Sequence, residues 1–243
     1  EVDFYVSTTA DGSRDKIMSM KATNKNTVIE MDGKDVASYG NEGINYYISN
    51  ENSKTKLVKT DMSTVWLYNN NVYDGFNLGM VNLKGNCDIK TVDNDDDEVA
   101  DAVFVFEYTD CIVDSVNADA STVVFKQGYT YKNQKTLNLD EEETKAFVEY
   151  YDENGTKTDF SAIKEGSVLS VAKSSDALNI RVIISNKGGQ GLVESKDGEY
   201  ILIGEEEYFA GNCNIKNVKT GYNYEYKLNY KDQMNYIDEL MAT

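Results

Sequence analysis

Six carboxylates fall within nine residues at Asp93-Asn94-Asp95-Asp96-Asp97-Glu98-Val99-Ala100-Asp101, and their spacing is that of oxygen ligands wrapped around a hard cation. Asp stands at positions one, three, five and nine, and position seven, Val99, offers a backbone carbonyl. Calcium takes about six to eight oxygens at roughly 2.3–2.6 Å, and alternate side chains of a curved loop can all point inward to supply them. The candidate ligands are therefore Asp93, Asp95, Asp97, the Val99 carbonyl and Asp101, with Ca2+ preferred to Mg2+ for its ligand number and flexible geometry. The match to an EF-hand loop is incomplete: position six is Glu98 where Gly makes the sharp turn, and position twelve is Phe104 where a bidentate Glu would stand. The competing expectation is a solvated acidic hairpin tip that blunts a sheet edge. Repulsion among the clustered carboxylates makes folding such a tip easier with a counter-ion present.

Other chemistry is thinly provided. The chain has no histidine, so the usual general base, proton shuttle and transition-metal ligand are missing, and with them serine or cysteine triads and most zinc sites. Arg14 and Arg181 are the two arginines, which leaves few bidentate clamps for phosphate. A net charge of −18, from 42 acidic and 24 basic residues, repels nucleic acid and anionic membrane surfaces alike. Carboxylate pairs for glycoside hydrolysis meet in space rather than in sequence, so acidic residues this numerous identify no pair. Glu141-Glu142-Glu143 and Glu205-Glu206-Glu207 are contiguous, diverge in direction and read as solvated. The 18 tyrosines, notably Tyr46-Tyr47, Tyr150-Tyr151 and Tyr222 to Tyr230, offer either a sugar-stacking strip or ordinary half-buried strand residues. Trp66 reads as core. Cys87, Cys111 and Cys213 are too few and too dispersed for a disulfide framework or a metal cluster; they read as small buried hydrophobes, with one bridged pair and one free thiol as the alternative. Gly188-Gly189-Gln190-Gly191 has no helix after it and reads as a turn, not a phosphate loop.

The elements that must position these residues are strands. Short runs rich in Val, Ile, Tyr, Phe and Thr alternate with polar residues between Asn, Asp and Gly clusters. The runs Thr27–Met31, Ile44–Ile48, Lys56–Val58, Thr64–Tyr68, Asp88–Val92, Ala102–Tyr108 and Cys111–Val116 are expected strands in the first half. Those of the second half are Ser121–Lys126, Ala146–Tyr151, Ser167–Ala172, Asn179–Ser185, Gly191–Glu194, Tyr200–Ile203, Tyr222–Asn229 and Gln233–Glu239. Asp32-Gly33, Asn154-Gly155 and Asp197-Gly198 are hairpin dipeptides. Asp140 to Lys145 is expected to make one helical turn, and the chain past Lys231 a turn and a terminal strand. The fold class is all-β: two small antiparallel β-sandwich or β-barrel-like domains, 1–118 carrying the Asp-rich loop and 119–243, divided at Asn117–Ser121. Gly85-Asn86-Cys87-Asp88-Ile89-Lys90-Thr91-Val92 nearly recurs as Gly211-Asn212-Cys213-Asn214-Ile215-Lys216-Asn217-Val218, through either duplication or convergent turn chemistry. No run of about 18 apolar residues is present to span a membrane as a helix.

Two blocks of the sequence resemble a known family. The first runs from Val92-Asp93-Asn94-Asp95 through Asp101-Ala102-Val103-Phe104-Val105 and Tyr108 to Ile112-Val113-Asp114-Ser115-Val116. The second is Phe160 to Ala172 with Ile180 to Ser185, Gly191-Leu192-Val193, Tyr208, Gly221, Tyr222 to Asn229 and Ile237. Together they are similar to the β-rich repeat regions of Firmicutes cell-surface proteins that carry S-layer homology domains; an S-layer homology repeat itself is not among these residues. The resemblance implies an extracellular, cell-surface location and a non-enzymatic role as structural spacer, adhesin or surface-layer component. Its implied partner is a cell-wall or surface polymer, or a neighbouring surface protein. The alternative expectation is a carbohydrate-binding module using surface tyrosines; a hydrolase relying on two carboxylates ranks third.

Overall fold

The computed structural model describes residues 2–7, 16–22, 26–48, 54–72, 82–210 and 213–240. The fold is all-β and sandwich-like, built of several separate sheets with no closed barrel among the described residues. The chain divides into two compact units, Glu1–Glu107 and Tyr108–Thr243. The stretch expected to divide the domains, Asn117–Ser121, instead lies inside the second unit as a hairpin turn, with Asn117 opposite Thr122. Its Asn and Asp residues mark a tight turn, which in composition looks like a linker.

In the first unit, β1 (Val2–Ser7) pairs with β2 (Lys16–Ala22). After them come β3 (Thr27–Asp32), β4 (Val36–Gly40), β5 (Gly43–Tyr47), β6 (Thr55–Lys59), β7 (Val65–Tyr68), β8 (Asn71–Val72), β9 (Cys87–Asp93) and β10 (Ala102–Glu107). One sheet has the order β3-β9-β10-β7-β8 and another β4-β5-β6. Side chains of a strand alternate between faces, so Ile89, Val103 and Val105 of the larger sheet share one buried core with Val36, Ile44 and Val58 of the smaller. Trp66 belongs to this core, as expected. The β10–β7 pair is parallel, a departure from the antiparallel reading.

Asp32-Gly33 does not close a hairpin: β3 pairs with β9, and β4 with β5. Asp32 instead caps a 3-10 turn over Gly33–Asp35, accepting from the Lys34 amide at 3.0 Å, while Asp35 accepts from the Asp32 amide at 3.3 Å. Side-chain capping satisfies the same backbone groups that a hairpin would have used.

The second unit contains β11 (Thr109–Asn117), β12 (Thr122–Phe125), β13 (Thr136–Asn138), α1 (Glu141–Thr144), β14 (Phe147–Asp152), β15 (Lys157–Thr158), β16 (Val168–Lys173) and β17 (Asn179–Ser185). These strands form a seven-stranded sheet, β13-β12-β11-β16-β17-β14-β15, in which β14 and β17 run parallel. The remaining strands, β18 (Gly188–Asp197), β19 (Tyr200–Ile203), β20 (Glu206–Phe209), β21 (Asn223–Leu228) and β22 (Met234–Glu239), form a five-stranded sheet, β20-β19-β18-β21-β22. Asn154-Gly155 and Asp197-Gly198 close the β14–β15 and β18–β19 hairpins as expected. Each sheet has its own core, one including Val113, Leu137, Leu169 and Val182, the other Val193, Ile201, Tyr224 and Met234.

Gly188-Gly189-Gln190-Gly191 opens β18 rather than forming a turn. A side-chain carbon at Gly188 would lie 2.4 Å from the Tyr226 carbonyl, and one at Gly191 2.6 Å from Ile203 Cγ2. Here glycine answers close approach within a sheet, not a need for turning. The near-repeat also separates in structure: Cys87–Val92 lies in β9, whereas Cys213–Val218 forms no strand, and Gly211 and Asn212 fall outside the described residues. What the two regions share is a turn shifted from the repeated words. Asn82 Oδ1 accepts from the Lys84 amide and Asn214 Oδ1 from the Lys216 amide, each at 3.1 Å, over buried Leu83 and Ile215.

The two cores of the second unit are joined by a buried polar contact. Strand β16 is buried on both faces: Leu169 and Val171 enter the core, while Val168, Ser170 and Ala172 point the other way. On that second face, the turn between β21 and β22 inserts Asn229, which is 0% exposed. Asn229 Nδ2 donates to Asp110 Oδ2 at 2.9 Å and to Gln233 Oε1 at 3.2 Å, and its Oδ1 accepts from the amides of Lys231 and Gln233, both at 3.0 Å. All four hydrogen-bonding positions of the amide are filled. Ser170 donates to Asp110, Ser185 Oγ donates to the Leu228 carbonyl at 2.8 Å, and Tyr230 meets Tyr108 edge-on.

Candidate metal centre

The acidic loop joins β9 to β10, which are hydrogen-bonded neighbours, so its ends are fixed by the ladder from Val92–Ala102 onward. Asp93, only 8% exposed, organises the turn from within. Its Oδ1 accepts from the Asp96 amide at 2.7 Å and its Oδ2 from the Glu98 amide at 3.0 Å. Such bonds to the charged form offset the cost of burying a carboxylate. Asp101 Oδ2 accepts from the Asn94 amide at 2.6 Å, tying the far end of the loop back to its start.

Outside contacts hold the loop's second half. The Ala100 amide donates to the Lys59 carbonyl at 2.9 Å, the Val65 amide donates to the Asp101 carbonyl at 2.7 Å, and Thr64 Oγ1 donates to the Ala100 carbonyl at 2.7 Å. Lys59 Nζ lies 3.1 Å from Glu98 Oε2, but with side chains 52% and 81% exposed this ion pair adds little.

One carboxylate oxygen from each of Asp93, Asp95 and Asp101 falls within 4.8 Å of the others. Asp97 and Val99 are not in that group. Asp97 Oδ1 caps the Val99 amide at 2.8 Å, and Val99 bridges to Lys59 as a parallel neighbour. Glu98, the residue that departs from the calcium-loop pattern, has φ 71° and Asp96 has φ 66°. The backbone thus makes at position six the left-handed turn for which Gly is the usual solution. Asn94 Oδ1 is buried without a hydrogen-bond partner. A buried amide oxygen is satisfied by a hydrogen-bond donor or a cation. The three converging carboxylates of Asp93, Asp95 and Asp101 are a group that could hold a hard cation.

Several of the other candidates have structural partners. Cys87, Cys111 and Cys213 are free and buried, and burial raises the Cys111 thiol strongly and the Cys213 thiol to about 11. Tyr150 packs edge-on to Phe160, Tyr224 is buried, and Arg181 sits 4.4 Å over the Tyr151 ring. The ring pairs found among the described residues meet at 45° to 87°, so none of them forms a coplanar strip. Exposed Asp61, Asp159 and Asp176 are held below the ordinary carboxylate value by hydrogen bonds from Ser63, Ser161 and Ser174, and Asp152 by the Thr156 amide.

Compared with known proteins, the chain matches no family, no curated protein and no solved structure.

Proposed function

We propose that this chain is a non-catalytic structural segment of a bacterial cell-surface protein, a stiff spacer stiffened further by calcium at the 93–101 loop. The observation that carries the reading is the joint of the second unit. Two cores that follow one another in the chain are fastened by a fully satisfied buried Asn229 and its Asp110 partner, where a hinge would need exposed, weakly bonded backbone. Every carboxylate whose acidity is shifted among the described residues is exposed and held ionised by turn hydrogen bonds, the opposite of what a general acid needs. The surface location, and the roles of adhesin or surface-layer component, rest on the sequence resemblance alone.

Amide hydrogen exchange on the full chain tests stiffness. Residues 185–188 and 228–234 should exchange as slowly as β16 and β17. Fast exchange there, with both cores protected, would turn the joint into a hinge and remove the spacer reading.

A further inference from the structure

A cleft of about 330 Å³ opens along the seam between the two cores of the second unit, beside the joint. Ile112, Lys126, Glu165 and Gly166 line one side, and Glu225, Lys227 and Tyr236 the other. Seams between packed halves are common places for small-molecule sites, because both walls contribute side chains.

The charges in this cleft are unequally satisfied. Lys227 Nζ is paired with Glu225 Oε1 at 2.8 Å. Lys126 and Glu165 make no ion pair among the described residues, with each other or with anything else. The Lys126 ammonium lies 5.2 Å from the centre of the Tyr236 ring, and Tyr129 stands edge-on to that ring at 5.7 Å. The lining therefore offers one unmatched cation, one unmatched anion and the ring of Tyr236. A purely anionic solute would meet the −18 field of the chain. A zwitterion carries no net charge and supplies both missing partners.

We propose that this cleft binds a free amino acid or a dipeptide, its carboxylate on Lys126, its ammonium on Glu165 and its side chain against the Tyr236 ring. The probes are L-phenylalanine, L-leucine and Ala-Ala, followed by amide shifts in the 15N-labelled full chain. N-acetyl-L-phenylalanine lacks the ammonium and L-phenylalanine amide lacks the carboxylate. The proposal expects saturable shifts around residues 112, 126, 165, 166, 225, 227 and 236 with at least one zwitterion, and roughly tenfold weaker binding for each blocked form. Lys126→Met should bind as poorly as the amide does to the native chain, and Glu165→Gln as poorly as the N-acetyl form, each with an otherwise unchanged spectrum that certifies folding. Silence from all three zwitterions at millimolar concentration overturns the site. So does equal binding of blocked and unblocked forms, or binding indifferent to both substitutions.

Discussion

Two polar loops in this molecule meet the same physical demand in different ways. In the second unit, the carbonyls of Ile215, Lys216 and Val218 converge, and the chain supplies its own cation: Lys196 Nζ donates to Ile215 at 3.0 Å, to Lys216 at 3.3 Å and to Val218. In the first unit, the 93–101 loop gathers carboxylates and an unpartnered amide oxygen, and the Lys59 ammonium is spent on exposed Glu98. A loop of neutral carbonyls is held by a tethered ammonium, whereas carboxylates in close approach call for a divalent ion from solution. The second unit should therefore be indifferent to calcium and the first should not.

The largest effect belongs to the joint. Asn229→Asp replaces a donating amide with a carboxylate facing Asp110, leaving buried charge without a partner, and should cost about 3–5 kcal/mol. Thermal unfolding of the second unit would register it as a large fall in Tm, with the first unit unmoved.

Calcium comes next. Saturating the 93–101 loop at a hundredfold excess over Kd should stabilise the first unit by about 2.7 kcal/mol, and chelator should remove that gain. Lys196→Met strips the donors from three carbonyls at once and should cost about 1.5–3 kcal/mol in the second unit, with or without calcium. If chelator and Lys196→Met acted on the same unfolding transition, the contrast between the two loops would fail. The smallest change is Lys59→Ala, below about 0.5 kcal/mol because its ion pair is exposed.

Acid should act through the exposed aspartates. Asp61, Asp152, Asp159 and Asp176 have folded-state values below 3.8, so their contribution is present above that value and lost as pH falls through the folded values. Stability arising from them should be flat from neutrality to about pH 5 and decline below about pH 4, as measured by denaturant midpoints.

Local alternation made most strands readable: Asn179–Ser185 and Tyr200–Ile203 fall where the apolar pattern places them. Pairing partners were not readable, because alternation fixes a strand's faces but carries no record of its neighbour. The parallel pairs β10–β7 and β14–β17 emerge only in three dimensions. Strands β8, β13, β15 and β20 escaped because they are only two to four residues long, β1, β2 and β4 were not read either, and the glycines of β18 escaped because Tyr226 and Ile203, distant in sequence, are what exclude a side chain there. At the acidic loop, spacing pointed to Asp93, Asp95, Asp97, the Val99 carbonyl and Asp101, and the carboxylates of Asp93, Asp95 and Asp101 are the ones that converge. Spacing could not show that Asp97 turns to cap the Val99 amide, since that choice depends on the left-handed residues at 96 and 98. Lys196, Lys126 and Glu165 carried no local signal, because what surrounds each comes from another part of the chain.

Calcium titration calorimetry of the full chain after chelator treatment, beside Asp95→Ala and Asp97→Ala, addresses the proposed calcium site of the acidic loop most directly. The account predicts heat for one site in the native chain and in Asp97→Ala, and loss of that heat in Asp95→Ala, because Asp95 converges with Asp93 and Asp101 while Asp97 does not. Absence of heat and of any Tm shift in the native chain, or equal binding by Asp95→Ala, would contradict it.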